Sequence, residues 1–175
     1  MKRSRLLGLG FGLLGLLAAS AGRAQVLDEA EIKAAFIYNF VQFTVWPPGS
    51  VGDMSPVPVC ARQDGPIAQK LTDIAGRKGT GRAIALRPLP ADLARNCAVI
   101  VVDQNDHAWL AAVAAVLPGT PALLVADDNA GKLGGMMISL SLSGRKVVFD
   151  IDLARVRAAG LGLSSRVMQL ARNVK

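Results

Sequence analysis

The chain has 175 residues, of which 20 are lysine or arginine and 13 are aspartate or glutamate, giving a formal net charge of +7. Lys2, Arg3, Arg5 and Arg23 supply four of the positive charges, and without residues 1–24 the balance is 16 minus 13, or +3. The other basic residues are scattered and are not interleaved with aromatic residues, which argues against a nucleic-acid partner.

The N-terminus has the pattern of a secretory signal peptide. Three basic residues precede an apolar run from Leu6 to Ala19, and small residues follow it. The run has about 14 residues, whereas a membrane-spanning helix needs about 20. We therefore expect a signal peptide over residues 1–24, with cleavage after Ala24 favoured over cleavage after Ala21, and a single domain over residues 25–175.

The first element of this domain is predicted to be a helix over residues 28–43. Asp28 can cap it, and an apolar stripe follows at helical spacing, formed by Ile32, Phe36, Phe40 and Phe43. The sequence Trp46-Pro47-Pro48 should prevent the helix from continuing.

Alternating strands and helices follow. Strands are predicted over residues 57–61, 82–87, 97–102 and 121–126, with helices over 66–75 and 106–117. Residues 136–142 and 146–151 should form a hairpin around Ser143-Gly144-Arg145, followed by one amphipathic helix from Leu153 that Gly160 and Gly162 interrupt. Because the strands are apolar without alternation, we expect a single-domain three-layer α/β sandwich with a mixed sheet flanked by helices.

Several of these segments carry a family resemblance. The sequences FIYNFVQFTVWP at residues 36–47 and CAVIVVD at 97–103, with the segment from Gly134 to Ala171, resemble the YfiR family. The specific matches are Tyr38-Asn39-Phe40, Trp46-Pro47, the two cysteines, Gly134-Gly135, Gly160-Leu161, Ser164-Ser165 and Leu170-Ala171.

The resemblance implies a periplasmic regulatory protein, and we expect neither enzymatic activity nor a cofactor. Such a protein represses an inner-membrane diguanylate cyclase through the periplasmic sensor region of the cyclase, and so lowers cyclic di-GMP and biofilm formation. A homodimer is also expected from the resemblance. In the family pattern a histidine often follows the second cysteine; here Ala98 takes that place, so no role of that histidine is transferred.

Cys60 and Cys97 are the only cysteines. Two cysteines in a secreted domain favour a disulfide, and the resemblance favours the same pair. The predicted strands raise a geometric problem, because Cys60 lies late in its strand and Cys97 opens another. Either the strand limits differ by a few residues, or the bond is strained and reports the redox state; a structural role and a redox switch both stay open.

The sequence offers little for catalysis or metal binding. His107 is the only histidine and is expected at a helix start, and no motif places it beside a serine nucleophile. Asp127-Asp128 is interpreted as a solvated loop and not a metal site, and the glycine-rich segment 76–81 as a turn and not a phosphate-binding loop.

The binding candidates lie at the corner between the hairpin and the last helix. Asp150, Arg155 and Arg157 should cluster there, either as a site for a small polar ligand or as a solvated face. The arginine face of the terminal helix, the hairpin edge, Tyr38 and Trp46 are the surfaces expected to reach a partner. Two other functional classes stay open: a small-molecule-binding accessory protein of a sensor kinase or transporter, and an envelope hydrolase.

Overall fold

The computed structural model describes residues 28–76, 81–89, 96–103, 119–129 and 134–175, with residues 106 and 110. The predicted signal peptide and His107 lie outside these ranges. So do most of the helix predicted over residues 106–117 and the middle of the glycine-rich segment, residues 77–80.

Helix α1 spans Glu29–Phe43 and agrees with the sequence prediction. The Asp28 carboxylate accepts a hydrogen bond from the Ala30 amide and caps the helix. Of the predicted apolar stripe, Phe40 is buried, and Phe36 and Phe43 are half-buried and pack against the core; Ile32 is also half-buried. The sheet covers a neighbouring side of the helix, whose buried residues are Ala30, Lys33, Ala34, Ile37, Phe40 and Val41. Phe36 lies at the border of this contact, 5.3 Å from the ring centroid of Phe149.

A seven-stranded mixed sheet forms the centre of the fold. Its first four strands in chain order are β2 (Val57–Ala61), β3 (Ile84–Pro88), β4 (Val99–Asp103) and β5 (Leu123–Asp127). The predicted hairpin follows as β6 (Ile138–Ser143) and β7 (Lys146–Ile151), and β9 (Asn173–Val174) completes the sheet. The spatial order is β3-β2-β4-β5-β6-β7-β9, and only the pairing of β6 with β7 is antiparallel.

The central strands are buried along almost their whole length. Residues 99–102 of β4 and 123–126 of β5 are buried without alternation, as expected for a sheet covered on both faces. Helix α2 (Pro66–Ala75) packs against α1 and β3. The predicted fold class is confirmed: a mixed sheet flanked by helices, with a late hairpin.

The prediction of one terminal helix is wrong. The segment consists of α3 (Leu153–Ala158), strand β8 (Gly162–Leu163) and α4 (Ser165–Leu170). Gly160 adopts a φ of 72°, which ends α3 in the left-handed region that glycine favours. The backbone of β8 then pairs with β1 (Thr44–Val45), a strand that has no counterpart in the sequence prediction.

The hairpin edge is also less open than expected. Strand β9 pairs with β7 at Asp150 and Ile151, and the Arg172 and Lys175 amides donate to the Phe149 and Ile151 carbonyls. The chain therefore covers the end of β7 that adjoins α3.

Trp46 is buried and not available to a partner, contrary to the prediction. Its ring lies against Gly52, where an added Cβ would come within 2.0 Å of the indole, and the Arg82 guanidinium lies over the ring, 5.2 Å from its centroid. Arg82 also donates a hydrogen bond of 2.5 Å to the Gly52 carbonyl. Only 6% of Trp46 is exposed, whereas Tyr38 is half-buried.

Candidate functional site

Polar residues gather where the parallel strands end. Strand β4 ends at Asp103 and β5 at Asp127, and these two residues are register partners. Because the carboxyl ends of parallel strands lie at one edge of a sheet, the charges that follow them in sequence converge there. The edge borders two concave regions, separated by a buried lysine.

Lys33 is that lysine, and only 1% of its side chain is exposed. Its ammonium group donates to the carboxylates of Glu29 and Asp127, the latter at 2.5 Å, and to the Asn129 side-chain oxygen at 3.1 Å. Asn129 in turn donates to Glu29 at 2.9 Å and accepts from the Leu142 amide at 3.0 Å. These five residues, here called the Lys33 cluster, join α1, the end of β5 and the hairpin.

The cluster satisfies all three donors of the ammonium group, which is the condition for burying a lysine. The hydrogen bonds that the Glu29 carboxylate accepts from Lys33 and Asn129 lower the pKa of Glu29. Burial raises the pKa of Asp127, and the hydrogen bond from Lys33 opposes that rise.

The expectation of a solvated loop at Asp127-Asp128 is therefore wrong. Asp127 pairs with Lys33, and Asp128 is only 4% exposed. The sequence contained one signal of this arrangement, because Lys33 interrupts an otherwise apolar helix face four residues after Glu29.

The smaller concave region is a crevice of about 140 Å³ at the ends of β2 and β4, beside the first turn of α2. Arg62 crosses it and donates to Asp106 at 2.9 Å and to Asp64 at 2.8 Å. The charged groups of the crevice are thus engaged with one another.

The larger region is a cavity of about 460 Å³, called here the polar cavity. It lies on the sheet face that carries Ser139, Ser141 and Asp150, since Ser139 and Asp150 are register partners and Ser141 is two residues further along β6. The remaining lining residues are Asp128, Asn129, Gly134, Gly135, Met136, Leu142, Ile151, Asp152, Arg172 and Lys175.

The carboxylates of the polar cavity are held in place. Arg172 forms an ion pair with Asp150, its Nε donating to Oδ1 at 3.0 Å, and the Asn173 side-chain Nδ2 donates to the same oxygen at 2.7 Å. These contacts, with that of Arg172 the largest, lower the pKa of Asp150. Asp152 caps α3 by accepting from the Arg155 amide at 3.0 Å, and it also pairs with the Arg155 guanidinium at 3.1 Å.

Of the three predicted binding residues, Asp150 lines the cavity and Arg155 lies at its margin. A Cβ added at Gly135 would be 4.0 Å from the Arg155 guanidinium. Arg157 is exposed and is not among the lining residues. Sequence reasoning placed Arg172 on the exposed arginine face of a terminal helix and did not connect it with Asp150, because the pairing of β9 with β7 that brings them together arises only in the tertiary structure.

Cys60 and Cys97 form a disulfide, with their Cα atoms 5.7 Å apart. The geometric problem disappears because β4 is staggered along β2: its first residue, Val99, pairs with Val59, and Cys60 lies opposite Ile100. The start of β4 therefore lies beside the late part of β2, and Cys97, just before the bend at Ala98, can reach Cys60. Both cysteines are at most 2% exposed.

Within the described ranges, no group of three or more histidine, cysteine, aspartate or glutamate side chains has the arrangement of a metal site. Within the residues that the structure describes, none of the helices combines the length and hydropathy that a membrane crossing requires.

The fold and the paired cysteines define a small, disulfide-bonded α/β protein. The family model described as YfiR/HmsC-like matches residues 30–172, and the chain belongs to this family. No curated protein matches the chain.

Proposed function

We propose that this protein is a periplasmic regulator that represses an inner-membrane diguanylate cyclase by binding the cyclase's periplasmic sensor region. The family match over residues 30–172 carries this proposal. Residues 1–24 would serve as the signal peptide, and residues 25–175 as the regulatory domain. Repression would lower cyclic di-GMP and biofilm formation without any catalytic step in this chain.

Physically, such repression is a shift between two states of the cyclase. The regulator must bind the inactive sensor more tightly than the active one, and the shift cannot exceed this difference in affinity.

We propose the ribbon of β1 and β8 as the contact surface. It brings together two segments that carry the family resemblance, since Val45 pairs with Gly162 and the Ser164 amide donates to the Phe43 carbonyl. Val45 is 66% exposed, an unusual exposure for a valine within a strand.

The test compares Val45→Glu with a matched control, Met54→Glu, whose side chain is also exposed at 55%. Both variants should fold, because each places a charge in water. Capture of the cyclase from solubilised inner membranes should be lost only for Val45→Glu, and cellular cyclic di-GMP should rise as it does on gene deletion. A deletion strain with unchanged cyclic di-GMP, despite an expressed cyclase, would refute repression itself.

We also propose that the redox state of the Cys60–Cys97 disulfide could control repression. The burial of both residues supports a structural role for the bond, because a reductant must first reach the sulfurs. If the bond is a switch, cyclase capture will be lost on mild reduction while the domain stays folded. Loss of capture and of folding at the same reductant concentration would assign the bond a structural role only.

A second candidate function is a small-molecule-binding accessory protein of a sensor kinase or transporter. The polar cavity favours it, since about 460 Å³ falls within the range of ligand pockets. Capture of a kinase or transporter in place of the cyclase would support this candidate. Dimerisation, expected for the family, would be measured by sedimentation of the mature domain.

A further inference from the structure

The partly exposed side of α1 continues onto the hairpin. Ile32 and Phe36 are one helical turn apart and half-buried, and the Phe36 ring centroid lies 5.3 Å from that of Phe149. Val147 shares a face of β7 with Phe149 and is also half-buried. Its register partner on β6 is Leu142, which is 39% exposed. The elements that the structure describes thus leave an apolar surface in partial contact with water.

Leu170, the last residue of α4, extends this surface. It is 72% exposed, the largest exposed fraction among the large apolar residues that the structure describes. The Arg172 amide donates to the Phe149 carbonyl, and because β9 runs parallel to β7, Leu170 comes near the level of Val147. Single exposed apolar residues are normal, whereas neighbouring ones mark an interaction surface. We call this set the apolar patch: Ile32, Phe36, Leu142, Val147 and Leu170.

Cationic side chains border the apolar patch. Arg166 lies one turn before Leu170 on the same face of α4, and Arg145 and Lys146 precede Val147 at the hairpin turn. All three cations are exposed, and none forms an ion pair with a residue that the structure describes. They can therefore meet anionic groups of a partner without breaking an internal contact.

Carboxylates are few at this end of the chain. Residues 134–175, all of which the structure describes, contain seven basic side chains against Asp150 and Asp152, and both aspartates already pair with an arginine. This segment carries 7 minus 2, or +5, and +4 with a terminal carboxylate, whereas residues 25–133 carry 9 minus 11, or −2. On α1, Glu29 is paired, which leaves Glu31 as the one carboxylate of that helix without a salt bridge. The field around the apolar patch therefore attracts anions.

We infer that the apolar patch and its three bordering cations dock the protein on an anionic phospholipid membrane. A bilayer surface supplies both chemistries at once, because Leu170 can enter the boundary between headgroups and acyl chains while Arg166 meets lipid phosphates. An acidic protein surface supplies anions but little apolar area. Docking leaves the β1–β8 ribbon accessible, since α1 rises about 16 Å between Ile32 and Phe43. The inference goes beyond cyclase repression and does not depend on it.

The test is co-sedimentation of the mature, oxidised domain, without residues 1–24, with lipid vesicles. Vesicles of phosphatidylglycerol and phosphatidylcholine in about equal parts should bind the domain at low ionic strength. Vesicles of phosphatidylcholine alone should not bind it, and about 0.5 M salt should release it from the anionic vesicles, because salt screens exposed charges.

Two pairs of variants locate the docking surface. Arg166→Gln should weaken vesicle binding about fivefold, as expected for one cation at an anionic surface, whereas Arg157→Gln, with the same change of charge on α3, should bind like the parent. Leu170→Gln should also weaken binding at least about fivefold, because it removes an apolar side chain from the boundary. Met54→Gln is its control, since Met54 is 55% exposed and lies outside the patch. All four variants should keep the parent's Tm, because each changes a side chain in water.

Absence of binding to the anionic vesicles at low ionic strength would overturn the inference. Equal weakening by Arg166→Gln and Arg157→Gln would also overturn it, because overall charge and not the patch would then drive binding. Binding to native inner-membrane vesicles that protease treatment abolishes, with none to lipid vesicles, would assign the patch to an acidic protein. A dimer that Leu170→Gln dissociates, again with no lipid binding, would assign it to a second copy of the chain. The cyclase proposal is decided separately, by capture from solubilised membranes that contain no bilayer.

Discussion

Replacing Lys33 with methionine should strongly destabilise the domain. Methionine fills a similar volume, so the main change is the loss of the ammonium group between Glu29 and Asp127. Removing one partner of a buried ion pair costs about 3–5 kcal/mol, because the remaining charge stays buried. The side chains of Glu29 and Asp127 are 38% and 19% exposed, so water can hydrate them in part, and we expect a loss of about 3 kcal/mol.

The pH dependence of this loss follows from the two carboxyl groups. The hydrogen bond from Lys33 is the main reason that the pKa of Glu29 is lowered. The stability that ionised Glu29 contributes is therefore present above its ordinary pKa of 4.5 and is lost as the pH falls through its pKa in the folded protein. Burial already raises the pKa of Asp127, and removal of Lys33 should raise it further. In the variant, protonation of these two carboxyl groups at low pH removes the charge that Lys33 no longer compensates. The difference in the free energy of unfolding between parent and variant should therefore be smaller at pH 4 than at pH 7.

The measurement is urea unfolding of the oxidised mature domain at both pH values, followed by circular dichroism. Lys70→Met is a matched control, because the Lys70 ammonium lies 4.0 Å from Asp28 and the two side chains are 34% and 60% exposed. Such a surface pair should contribute less than about 1 kcal/mol. Adding Asp127→Asn to Lys33→Met should recover part of the stability. An equal effect of Lys33→Met and Lys70→Met, or a larger loss at pH 4, would refute this reasoning.

Two further predictions concern the packing of the fold. The Cys60→Ala, Cys97→Ala double variant should lose about 4 kcal/mol, as expected for a closed loop with a sequence separation of 37, and the oxidised parent should show no reactive thiol in a thiol assay. Gly52→Ala should cost about 2–3 kcal/mol in urea unfolding, because the new Cβ overlaps the buried Trp46 ring, whereas Gly76→Ala should be nearly neutral because its nearest neighbours are 3.7 Å away. Reactive thiols in the native oxidised protein, or equal effects of the two glycine variants, would contradict these predictions.

Local sequence patterns located most elements correctly. The limits of β2, α2 and β7 match the prediction, and α1 begins directly after the predicted cap at Asp28. The starts of β4 and β5 were placed two residues too early, because Cys97, Ala98 and Ala122 are buried and apolar without being in the strands. The apparent conflict at the disulfide came from assuming that β2 and β4 begin at the same level, whereas Cys60 pairs with Ile100 near the start of β4.

The candidate site was predicted only in part. Asp150 was recognised from its position between a strand and a helix, and it does line the polar cavity. Arg172 lies 22 residues further on and reaches Asp150 through the pairing of β9 with β7. No local pattern contains such a pairing, because two-residue strands have no periodicity.

The sequence by itself determined the class of fold, the cysteine pair and the family, because apolar runs, turn residues and specific motifs are local properties of the chain. Tertiary structure alone decided which residues meet. It placed Lys33 between two carboxylates, buried Trp46 beneath Arg82 and joined Arg172 to Asp150. These outcomes depend on contacts between residues far apart in the chain, and the free energy of burying a polar group is set by such partners and not by its sequence neighbours.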